Sequence, residues 1–85
     1  MKPCQVHLCR QPATHYPVVM LFTRPGGDPL LIGYEKMTLC FGHACGIKVS
    51  DLIDDNDWRT LYRGLRKKGK SKPRRDLTRI KIHPI

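Results

Sequence analysis

Residues 40–45 read Cys-Phe-Gly-His-Ala-Cys, which places two thiols and an imidazole within six positions. Cys40 and His43 stand in a C-x2-H pair, and Cys40 and Cys45 in a C-x4-C pair. Upstream, Cys4 and Cys9 form a second C-x4-C pair, with thirty residues between Cys9 and Cys40. Short pairs of this kind come from tight turns, and a hairpin between them brings the two turns to one point.

The segment between the pairs has the composition of such a hairpin. Residues 13–23 and 30–40 are rich in β-branched and aromatic side chains, and Arg24-Pro25-Gly26-Gly27-Asp28-Pro29 separates them as a turn. Pro17 has no N–H to give to a ladder, so the first strand is expected at the sheet edge or with a bulge. Downstream, Cys45, Val49, Leu52 and Ile53 fall at i, i+4, i+7 and i+8, which predicts a first helix over residues 43–53. Asp54, Asp55 and Asn56 are cap candidates for a second helix, in which Trp58, Leu61, Tyr62 and Leu65 make the apolar stripe as far as Gly69. The expected fold class is α+β, a stapled hairpin followed by two helices.

Thiolate and imidazole donors suit zinc or iron rather than magnesium or calcium. The expected ligands are Cys4, Cys9, Cys40 and His43, around one structural Zn2+. Cys45 is the alternate to His43, but its place on the apolar stripe favours a packing role for a free thiol. His7, three residues after Cys4, is an alternate to Cys9. A disulfide scaffold is the competing use of four cysteines in a small chain. The opening Met-Lys-Pro-Cys-Gln-Val-His-Leu-Cys has no charged-then-apolar export pattern, so a reducing, cytoplasmic setting and a metal are expected instead. The longest apolar run, Val18 to Phe22, is too short to cross a bilayer.

Cys4-x4-Cys9-x2-Pro12-Ala13-Thr14, a hairpin, then Leu39-Cys40-x2-His43-Ala44 and a helix resembles the small zinc-ribbon and treble-clef-like proteins of bacteria and bacteriophages. The resemblance covers residues 4 to about 53 and implies a zinc-stapled hairpin packed on a helix. Cys45 is the departure from that pattern. Leu39-Cys40-x2-His43 also resembles the zinc end of HNH nucleases. That likeness stops at the helix, where Lys48, Ser50 and Asp51 stand in place of a general-base histidine and a second metal-holding histidine. With all four ligands on the ion, no position stays open for water, so neither catalysis nor a small-molecule substrate is expected.

The charge is divided sharply. Residues 1–58 carry five Lys/Arg against six Asp/Glu, whereas residues 59–85 carry eleven Lys/Arg against Asp76 alone. The chain is thus read as a neutral head over residues 1–68 and a basic arm over residues 69–85, with Leu77 to His83 as a short strand added to the hairpin edge. Arg59, Arg63, Arg66 and Lys67 mark the charged face of the second helix, with Lys68 at its end. Lys70, Lys72, Arg74 and Arg75 mark a solvated, flexible arm. Such a footprint fits a phosphate backbone, making nucleic acid the leading partner. The alternatives are a small phage-type regulator docking on an acidic host protein, and a tail that only aids solubility. Trp58 and Tyr62 fall on the apolar stripe, so base stacking is not expected.

Overall fold

The computed structural model describes residues 2–85 and has an α+β architecture. Strand β1 (His15–Leu21) lies at the centre of a three-stranded antiparallel sheet between β2 (Leu30–Gly33) and β3 (Arg79–Pro84). Val19 sets the register, opposite Ile32 on one side and Ile80 on the other. In the hairpin turn, Pro25 supplies a fixed φ, Gly26 takes φ +73°, and the Gly27 N–H returns to the Arg24 carbonyl, the pattern of a type II turn.

The central place of β1 corrects the expectation that Pro17 marks an edge. The Pro17 carbonyl accepts from the Tyr34 N–H, and N–H and C=O of one residue face the same flank of a strand. The missing donor therefore faces the β2 side, one residue outside a ladder that begins at Val18 opposite Gly33. No ladder bond to β3 is lost. The second expected strand is also shorter than residues 30–40: after Gly33 the chain turns, with the Met37 N–H on the Tyr34 carbonyl, and Leu39 returns to pair with His15.

The single helix expected over residues 43–53 is two short ones, α1 (Phe41–Gly46) and α2 (Val49–Leu52). Gly46 is a poor helix former, Ile47 and Lys48 are extended, and Asp51 restarts the helix by accepting from the Lys48 N–H at 2.9 Å. α3 (Asp55–Lys67) begins as expected. Asp54 accepts from the Asp57 N–H at 2.7 Å and Asp57 reciprocates, closing a capping box. It ends at Gly69, whose φ of +72° lets its N–H reach the Arg66 carbonyl and the Lys70 N–H reach that of Leu65, a Schellman pair.

Two apolar clusters result. Val19, Leu21, Ile53 and Trp58 form one between the sheet and α3, and Cys4, Leu39 and Ala44 form the other, flanked by Cys9, Cys40 and Ile82. The segment after α3 is not a free arm. Pro73 is buried, the Arg74 N–H donates to the Phe22 carbonyl at 2.8 Å, and a 3-10 turn over Arg75–Leu77 leads into β3. No helix is long and apolar enough to cross a membrane among the described residues.

Candidate metal centre

The first half of the site is a closed turn over residues 3–12. Pro3 and Pro12 pair as an antiparallel bridge, the Cys4 N–H donates to the Gln11 carbonyl, and the Cys9 N–H donates to that of Val6. The tightness of the turn puts Leu8 at φ +64°, a left-handed conformation costly for a branched side chain. This turn is strapped to the second half through the Gln5 N–H on the Thr38 carbonyl and the Thr38 hydroxyl on the Pro3 carbonyl.

The second half is the start of α1. Leu39 is fixed by its bridge to His15, so Cys40 sits at the helix N-cap and His43 in the first turn. Four donors converge: the ligand atoms of Cys4, Cys9, Cys40 and His43 all lie within 4.8 Å of one another. Cys9 Sγ is 3.9 Å from Cys40 Sγ, and His43 Nδ1 is 3.4 Å from Cys4 Sγ and 3.2 Å from Cys40 Sγ. A tetrahedral ion with Zn–S of about 2.3 Å and Zn–N of about 2.0–2.1 Å has edges of roughly 3.5–3.8 Å. The cluster therefore fits a single four-coordinate ion. The sulfurs are too far apart for a disulfide, which needs about 2.05 Å, and all four cysteines are free.

Backbone donors prepare the thiols unequally. Burial pushes the Cys4 thiol up, but N–H donors of Cys40 and Val6, with His43 and Cys9 beside it, outweigh that and bring it down to about 6. The Gln11 N–H acts to lower Cys9. Its own desolvation and the neighbouring Cys4 and Cys40 groups prevail, and the Cys9 thiol is raised. A donor set of this charge and type suits a cation.

Neither alternate belongs to the cluster. His7 is exposed and stands outside the group. Cys45 also stands outside it, but not for the expected reason: it is exposed rather than on a buried stripe, because the break at Ile47 and Lys48 ends α1 and makes Ala44 its buried residue.

The basic residues are brought together more closely than a flexible arm implies. Arg59, Arg63 and Arg66 of α3 and Lys70 and Lys72 of the returning segment line one groove of about 600 Å³. Lys67 and Lys68 are exposed at the end of α3, outside that lining. Arg74 is paired with Asp76 at 2.7 Å and Arg75 with Asp55 at 2.9 Å, and the Arg75 guanidinium lies 5.1 Å from the Trp58 ring centre. Arg75 thus ties the segment to α3, whereas the Arg74–Asp76 pair is local to the segment. The groove has one further lining residue that the apolar spacing concealed, Tyr62, with Lys72 Nζ 4.5 Å over its ring.

No family model, curated protein or solved structure matches the chain.

Proposed function

We propose that the chain is a non-enzymatic zinc protein in which one structural Zn2+ on Cys4, Cys9, Cys40 and His43 holds a scaffold whose basic face binds nucleic acid. The donor set supports zinc, because three sulfurs and an imidazole within 4.8 Å of one another suit a four-coordinate ion, and with all four bound no position stays open for substrate or water. It also suits a reducing cytoplasm, where thiols stay available to metal.

The observation that carries the nucleic-acid reading is the convergence of Arg59, Arg63, Arg66, Lys70 and Lys72 on one groove. Among the described residues none of the five is ion-paired. Bringing five cations together without counter-charges is unfavourable by self-repulsion, and a polyphosphate backbone relieves it while releasing its own counterions.

Titration of zinc-loaded protein into labelled nucleic acid at several salt concentrations tests this. Five phosphate contacts give a log–log slope between about −3 and −5. Changing Arg63 and Arg66 to Glu then weakens binding and flattens the slope. Binding that is absent at low salt, or a single stoichiometric protein recovered after nuclease treatment with no nucleic-acid affinity, overturns the reading in favour of a regulator that docks on an acidic protein.

A further inference from the structure

The groove between α3 and the returning segment contains a feature that charge alone does not require. Its lining is five cations and one aromatic ring, that of Tyr62. The ring is half-buried, packed against the main cluster with its centre 5.6 Å from that of Trp58, and so held from behind. The Lys72 ammonium lies over it at 4.5 Å from the ring centre, on an exposed side chain, and Arg75 bonds the Tyr62 hydroxyl. A second hollow of about 470 Å³ is lined by the same Tyr62–Lys72 pair, with Pro73, Arg74, Arg75 and Asp76 beyond it, the Asp76 carboxylate being neutralised by Arg74 at 2.7 Å.

We infer that this groove takes a single strand, with one unstacked base lying on Tyr62 and phosphates on the flanking cations. The inference rests on the nucleic-acid reading above and narrows it to one class of strand. In a duplex the base faces are stacked on each other and hidden, so a recessed tyrosine ring offers nothing to double-stranded DNA or RNA. An extruded base presents a π-face of any sequence, and aromatic platforms in cationic channels exploit that. Lys72 is the movable element. As the base arrives, its ammonium leaves the ring for a phosphate, exchanging a cation–π contact for a charge-assisted hydrogen bond. The two hollows that share the Tyr62–Lys72 pair then accommodate the nucleotides before and after the stacked one.

Zinc-loaded full-length protein is tested against three probes at one salt concentration: a labelled single strand without self-complementarity, the same sequence as a duplex, and inorganic polyphosphate as a polyanion without bases. The wild type binds the single strand more tightly than the duplex. Tyr62→Leu weakens single-strand binding roughly tenfold, as expected for one stacked base, and changes polyphosphate binding by less than about twofold. Tyr62→Phe, which keeps the ring, retains single-strand affinity. An equal loss on all three probes, or a wild type that prefers the duplex, overturns the inference. If Tyr62→Leu fails to fold, the wild-type preference and the Tyr62→Phe result still decide. A wild type that binds nucleic acid with no strand preference defeats this inference alone, whereas one that binds none defeats the broader reading as well.

Discussion

Cys40 Sγ lies 3.2 Å from His43 Nδ1, one turn apart at the start of α1, with Cys40 as the helix N-cap. The helix thus fixes the spacing of half the metal cluster, while Cys45, two residues further along, points to solvent outside it.

His43→Ala and Cys45→Ser therefore have opposite consequences. A structural zinc contributes about 10–16 kcal/mol, so loss of one ligand in four is worth roughly 3 kcal/mol, or about a hundredfold in metal affinity. His43→Ala lowers zinc affinity by that order in competition with a chromophoric chelator, and Cys45→Ser leaves it unchanged. Equal losses from the two substitutions contradict the assignment.

The pH dependence follows from the unequal thiols. Cys4 is held at about 6, below its ordinary 9.0, so near pH 7 it is already a thiolate. Cys9 is raised and keeps its proton until an ion displaces it. Metal binding then releases protons at neutral pH, and affinity climbs as pH rises. The lowered Cys4 thiol contributes stability that is full above its ordinary 9.0 and is lost as pH falls through about 6. A bound ion holds the thiolates to lower pH still, and acidification that protonates them releases it. Zinc retention measured against pH shows this fall. Retention that is flat from neutral pH to well below 6 opposes it.

Leu8 adopts φ +64° while 86% exposed, so its side chain contributes strain without packing. The left-handed conformation costs about 1–2 kcal/mol for a non-glycine residue, and glycine gives back part of that through the freedom of the unfolded chain. Leu8→Gly should stabilise the protein by roughly 1 kcal/mol, raising the melting midpoint by about 4–8 °C in a chain of this size. A lower midpoint, read by circular dichroism, would mean the Leu8 side chain has a packing role.

What could be read in the sequence was local. Asp54 announces α3 because a cap and its N3 partner Asp57 are three residues apart, and the two ligand pairs announce the metal cluster because each is made by one turn. Features that depend on tertiary arrangement were concealed. The apolar spacing of Cys45, Val49, Leu52 and Ile53 satisfies a helical period across a break that only Gly46 hints at. Pro17 argues for an edge unless it is known which flank its absent N–H would face. Tyr62 belongs to the apolar stripe of α3, and it becomes a groove residue only because Pro73 is buried and Arg74 is tied to Phe22, turning Lys70 and Lys72 back alongside the helix.

The central claim is that Cys4, Cys9, Cys40 and His43 hold one zinc ion. Zinc-edge X-ray absorption on the purified protein measures it directly, since sulfur and nitrogen ligands differ in number and distance. The account predicts one zinc per chain, with three sulfurs at about 2.3 Å and one nitrogen at about 2.0–2.1 Å. Four sulfurs, oxygen-dominated coordination or no stoichiometric zinc would contradict it.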